Sequence, residues 1–73
     1  MPKQVVMDRN GDTTHEFDDA DPVSLKEAED RFKELTGKGF IVAKSLGNGE
    51  HQKIERFDPT VEETLFIPAL QGG

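Results

Sequence analysis

The chain contains no cysteine, no tyrosine and no tryptophan. Without cysteine there is no disulfide staple, no thiolate nucleophile and no thiolate metal site, and a reducing compartment is the natural setting. Without Tyr or Trp, and with no basic stripe, the sequence offers little on which nucleic-acid bases would stack. Basic residues are scarce as well. Nine Lys and Arg stand against fifteen Asp and Glu, a net charge of −6. Such a surface repels a phosphate backbone, which excludes nucleic acid as a partner. A charge of this size serves solubility, and among macromolecular partners a basic protein suits it best. No run reaches the ~18 apolar residues of a membrane span. Nor does a basic-then-apolar leader open the sequence, so the expectation is a cytoplasmic chain without membrane contact.

What remains is enough for one thin core. Seventy-three residues, 33% of them hydrophobic and five of them Phe, allow a single two-layer domain, expected to be a monomer. Gln4 to Arg9, carrying Val5, Val6 and Met7, is followed by Asn10-Gly11 and then by Asp12 to Phe17. Asn-Gly between two strand-like runs is a strong hairpin signal. A two-residue turn pairs Arg9 with Asp12. A three-residue loop with Gly11 in the left-handed region pairs Asp8 with Asp12 instead. The second register gathers Val5, Met7, His15 and Phe17 on one face and is preferred for that reason.

Asp18-Asp19-Ala20-Asp21-Pro22 is a loop. Ser24 to Glu27 has capping-box spacing, and Asp21 with Pro22 offers a competing helix start one turn earlier. Leu25, Ala28, Phe32 and Leu35 then recur at helical spacing, with Lys26, Glu29, Asp30 and Lys33 on the other faces. Gly37 ends the helix and Lys38-Gly39 completes the turn. Phe40 to Leu46 reads as a strand, Gly47-Asn48-Gly49 as a turn, and Glu50 to Phe57 as a second strand. Asp58-Pro59 breaks that strand, Thr60 to Glu63 reads as a short helical turn, and Thr64 to Ile67 as a last strand stopped by Pro68. The fold class is α+β, a mixed four- or five-stranded sheet with one helix covering one face.

Internal chemistry is sparse. Asp8-Arg9-Asn10-Gly11-Asp12 opens like a calcium loop, but Thr13 occupies the position that requires Gly, and Asp19 the position of the bidentate Glu. His15 and His51 have no neighbour at metal-ligand spacing, so no metal is expected. Ser24 and Ser45 lack a nucleophile-elbow context. The chain is also short for a water-excluding cleft, and no enzymatic activity is expected.

The end of the sequence is its most specific feature. Chance places Gly-Gly at a terminus in roughly 0.5% of chains, given Gly usage near 7% per position. A side-chain-free, flexible carboxylate is what a narrow nucleotide site in another enzyme admits. Adenylated there, it is open to attack by an amine, a thiol or a persulfide. With strand–strand–helix–strands before it, Phe66-Ile67-Pro68-Ala69-Leu70-Gln71-Gly72-Gly73 resembles the ending of the ubiquitin-like β-grasp superfamily. Phe-Ile-Pro before the diglycine is similar to the molybdopterin-synthase small subunit, a sulfur carrier, and to bacterial ubiquitin-like proteins. The ending also resembles phage tail-assembly proteins that carry a β-grasp domain.

The resemblance implies a β-grasp domain over residues 1–68 and a flexible tail over 69–73. Gly73 would be adenylated by an ATP-dependent activating enzyme, the ATP being that enzyme's cofactor and the chain itself holding none. Gly72 and Gln71 would form the threaded tail, and Leu70 a contact for the activating enzyme. Gln71 stands where ubiquitin has Arg, a departure in the residues its own activating enzyme reads. Further partners would be a deconjugating isopeptidase or a sulfur-accepting enzyme. One residue set remains open. Phe40, Ile41, Val42 and Ala43 are consecutively apolar, so one alternate pair must face away from the helix and form a patch near the tail. The same question arises at Leu65-Phe66-Ile67, where alternation puts Leu65 and Ile67 inside and the resemblance puts Phe66 there.

Overall fold

The computed structural model describes residues 1–69. The first hairpin joins β1 (Lys3–Asp8) to β2 (Gly11–Glu16) in a register that differs from both expected ones and has a tip one residue shorter than the preferred loop. Its tip is Arg9-Asn10, with Asp8 opposite Gly11. The Asp8 carboxylate accepts the Asn10 amide at 3.3 Å, and Gly11, at φ +115°, supplies the backbone conformation that rejoins the ladder. Local side-chain chemistry thus shortens the loop by one residue. The consequence is large, because a one-residue shift exchanges the two faces of a strand. Gln4 pairs with His15 and Val5 with Thr14, so Val5 and Met7 lie on the opposite face from His15 and Phe17. The expected grouping of those four side chains is therefore corrected.

Helix α1 (Pro22–Gly37) takes the earlier of the two possible starts. Asp21 is the N-cap, accepting the Val23 amide at 3.1 Å, with Pro22 next to it. Ser24 does not cap. Its hydroxyl accepts the Asp18 amide at 2.8 Å and tethers the incoming loop. Asp21→Ala is therefore expected to lower stability by about 1 kcal/mol, seen as a lower urea midpoint with unchanged slope. A larger loss in Ser24→Ala would restore the later start. At the other end the helix runs through Gly37, and Gly39, at φ +94°, makes the reversal. Ala28, Phe32 and Leu35 of the expected stripe are buried and Leu25 is half-buried.

The remaining strands are β3 (Ile41–Gly47), β4 (Glu50–Lys53) and β5 (Glu63–Ile67), and the sheet order is β2-β1-β5-β3-β4. The first and last strands run parallel at its centre, Val5 beside Leu65 and Val6 beside Phe66. All other neighbours are antiparallel. One helix on a mixed five-stranded sheet is an α+β domain with a β-grasp-like layout.

Two segments differ from the sequence reading. β4 stops at Lys53 rather than Phe57, after which the Ile54 amide donates to Val42 O and the chain bends at residues 55–56. That bend brings Ile54 and Phe57 over the end of the core, a burial that a straight edge strand would forgo. Residues 60–63 form no helical turn. Asp58 instead accepts from both the amide (2.9 Å) and the hydroxyl (2.6 Å) of Thr60, and its carbonyl takes the Val61 amide, closing a side-chain-bridged turn.

The core between α1 and the sheet is aromatic. Phe32, Leu35, Val42 and Phe66 form its centre, with Val6, Phe40, Ile54 and Phe57 packed around them. Phe32 meets Phe66 and Phe57 edge-on at centroid separations of 6.0 and 5.9 Å, and Phe57 meets Phe17 at 6.0 Å. All five phenylalanines thus serve this side.

Candidate functional site

The orientation of α1 decides which residues the sheet presents to the outside. Gln4, Val6, Val42 and Phe66 face the helix, so their neighbours in sequence face away. Cross-strand pairing gathers these outward residues into a band. Val5 lies beside Leu65, Leu65 beside Ala43, and Ile67 beside Ile41. Of the four candidates Phe40 to Ala43, Phe40 and Val42 belong to the core and drop out of the patch, which decides between the two alternate pairs left open by the sequence. Ile41 and Ala43 lie on the outer face. Phe66 is the inward member of its trio, and Leu65 and Ile67 are outward.

The band is graded. Val5, Ala43 and Leu65, flanked by strands on both sides, are under 10% exposed, while Ile41 and Ile67 are 42% and 37% exposed. The open part of the band therefore lies where β5 ends and the chain passes to Pro68. At its other end Lys3 and Glu63 form an ion pair at 3.3 Å, which closes the apolar strip with a charged border. Leu70, Gln71, Gly72 and Gly73 lie outside the described residues, as does nearly all of the expected flexible tail.

No family model, curated protein or solved structure matches this chain. Its own residues carry the functional reading.

The inner face has an element that polarity patterning hides. Gln4 is fully buried between β1 and α1. Its Nε2 donates to Ala28 O at 3.0 Å, and its Oε1 accepts from Arg31 Nη1 at 2.8 Å. Both ends of the amide are satisfied, which is what makes its burial tolerable. His15, opposite Gln4 on β2, shares this environment, whereas His51 is exposed on β4 opposite Ser45.

Burial, and secondarily the Arg31 guanidinium, hold the His15 pKa below its ordinary 6.5. The native state then binds fewer protons than the unfolded chain over that interval. The contribution of His15 is complete above pH 6.5 and is lost as pH falls from there through the native pKa. His15→Gln is expected to flatten this part of the stability curve, checked by urea unfolding between about pH 7 and 5. The Asp58 carboxyl is also held below its ordinary value, chiefly by the Thr60 hydroxyl and then by the Thr60 amide. It serves the turn before β5.

Among the described residues no helix is long and apolar enough to cross a membrane. A depression of about 590 Å³ lined by Lys53, Glu55, Arg56 and Asp58 with Ile54 and Phe57 is open to solvent and brings no nucleophile beside a base.

Proposed function

We propose that this domain is a ubiquitin-like protein modifier, activated at Gly73 by an ATP-dependent adenylating enzyme and joined to amines. The observation that carries the reading is the union of two features on β5. The central strand belongs to a β-grasp-like sheet, and it leads through Pro68 into Leu70-Gln71-Gly72-Gly73. In the proposed reaction a Gly73 carboxylate oxygen attacks the α-phosphorus of ATP, releasing pyrophosphate. An amine then displaces AMP from the acyl-adenylate to form an amide. The side-chain-free tail enters the enzyme, and the outer band at Ile41 and Ile67 contributes a docking contact beside it.

A second reading is supported by Phe66-Ile67-Pro68 before the diglycine, the ending similar to sulfur-carrier subunits. There the terminal sulfur of a partner enzyme's persulfide displaces AMP to form an acyl disulfide, and a second thiol of that partner cleaves the S–S bond, leaving the thiocarboxylate on Gly73 and a disulfide on the partner. Mass spectrometry of the protein from its native cell separates the two. Isopeptide-linked remnants of the tail on lysines support the modifier, and replacement of one terminal oxygen by sulfur supports the carrier. Deleting Gly72 and Gly73 is expected to abolish both products. Cellular function unchanged by that deletion would overturn both readings in favour of a non-covalent binding or assembly module.

The docking contact has its own test. Ile41→Asp places a charge at an already exposed site, so the fold should persist. Its adenylation efficiency is expected to fall about tenfold or more, the effect of losing a contact near the centre of an interface. An unchanged rate with a folded variant would remove the outer band from the recognition surface.

A further inference from the structure

The sheet has two free edges, and they are unequal. β4 is four residues long, carries Lys53 and gives way to a bend, all features that discourage another strand from pairing. β2 has six residues, no proline, no lysine and an uninterrupted register with β1. Its outer edge is a ready template for strand addition.

Which groups line that edge follows from the ladder. The Phe17 amide donates to Pro2 O at 3.0 Å, so Pro2 and Phe17 form a hydrogen-bonded pair. Alternation then makes Gln4–His15, Val6–Thr13 and Asp8–Gly11 hydrogen-bonded pairs as well. The residues between them, Asp12, Thr14 and Glu16, turn their N–H and C=O groups outward, away from β1. Lys3 agrees from the other side of β1, its amide donating to Glu62 O just before β5.

Charge specifies the occupant. From Asp12 to Asp21 the chain carries five acids (Asp12, Glu16, Asp18, Asp19, Asp21) and no Lys or Arg. Asp12 and Glu16 flank the outward groups of the edge. On the neighbouring flank of α1, where Arg31 reaches Gln4, a depression of about 320 Å³ is lined by Glu27, Asp30 and Glu34 together with Arg31. Lys26 and Lys38 pair with Asp30 and Glu34 there, but these contacts are exposed and weak.

We propose that the free edge of β2 binds an extended, basic segment of a partner protein by strand addition. Main-chain bonds to Asp12, Thr14 and Glu16 hold it. A row of alternate Lys or Arg side chains on one face of the segment meets Asp12 and Glu16 of β2, inside the wider negative field to which the acids of α1 contribute. The proposal is independent of what becomes of Gly73, because it uses the opposite border of the sheet from β3 and β4 and no part of the tail.

The test uses the whole chain and a short synthetic peptide alternating lysine and valine. Amide shifts centred on Asp12, Thr14 and Glu16, with slowed hydrogen exchange at those three, are expected on titration. Thr14→Pro removes an outward N–H without touching the β1 ladder, and proline is tolerated at a sheet edge. It should keep the native circular dichroism and melting point and bind the peptide about tenfold more weakly or worse. Should Thr14→Pro fail to fold, Asp12→Lys with Glu16→Lys serves instead, with preference shifting to a glutamate–valine peptide. The lysine peptide with alternate amides methylated retains its charge and should not bind.

Three results would overturn the proposal. They are unaltered affinity in the folded variants, equal binding of the methylated peptide, and shifts that map to β4 or to the Ile41 band. Self-association of the chain through β2, seen by sedimentation and lost in Thr14→Pro, would also overturn it by assigning the edge to a second copy.

Discussion

Phe66→Ala is expected to cost about 3–5 kcal/mol, the range for deleting a buried aromatic ring that neighbouring structure does not refill. Phe66 is fully buried on the central strand, against Phe32 edge-on and beside Val6 and Val42 on the two flanking strands. Three neighbouring elements, α1, β1 and β3, lose a contact at once, and neither strand can collapse into the space without breaking a ladder. Domains have ~5–15 kcal/mol in total, so much of the stability disappears. At ~4–8 °C per kcal/mol for a chain of this size, the melting temperature should fall by well over ten degrees. Ile67→Ala is the control, one residue further on, facing outward and 37% exposed. Its loss should stay within about 1–1.5 kcal/mol. Reversal of the two magnitudes would overturn the assignment of faces on which the outer band depends.

The second large effect is expected at Gln4. Gln4→Met keeps the volume roughly constant but withdraws the amide from both partners, leaving Ala28 O with its helical donor alone and Arg31 without its Gln4 acceptor. About 2–4 kcal/mol should be lost, mostly from polar groups left unmatched rather than from packing. Because the bond to Arg31 involves a charged donor, a double-mutant cycle with Arg31→Met should show coupling of about 1 kcal/mol or more. Coupling near zero would mean that Gln4 contributes only shape. The cycle is best run by urea unfolding at pH above the His15 transition, so that the neighbouring imidazole stays neutral in every variant.

These two residues also mark where sequence reasoning succeeds and where it stops. The order of elements and the Ala28-Phe32-Leu35 stripe follow from periodicity and turn chemistry, whereas the parallel first and last strands are what the β-grasp resemblance implies and cross-strand pairing shows. The faces of the central strands do not. Phe40 to Ala43 and Leu65 to Ile67 are apolar at every position, although Ile41 and Ile67 face the open side, and alternation then carries no information. The aromatic members, Phe40 and Phe66, fall inside, where the helix leaves a space of ring size. Gln4 escapes detection for the converse reason. Polarity places it outward, and only the position of Ala28 O and Arg31, twenty-four and twenty-seven residues away, makes the inward orientation favourable. The first hairpin turns on the single side chain of Asp8, whose bond to Asn10 selects a loop shorter than hydrophobic grouping favours. For the candidate site, Ile41 is legible as one of four apolar residues, but its partners Val5, Leu65 and Ile67 emerge only from cross-strand pairing.

The position of β5 has a kinetic consequence. β1–β2 and β3–β4 are each joined by a two-residue tip, so both hairpins are local in sequence, a class of structure that closes on the microsecond scale. The two hairpins do not pair with each other. Only β5 spans them, pairing Val5 with a residue sixty positions later and Ala43 with one on the same strand. Its docking closes the largest loop in the molecule and meets that entropy before the aromatic core rewards it. Insertion of β5 is thus expected to set the folding rate. Changes at Leu65 and Phe66 should therefore slow folding, and changes at the tip at Asn48, in a hairpin already formed when β5 inserts, should also act on the folding rate more than on unfolding.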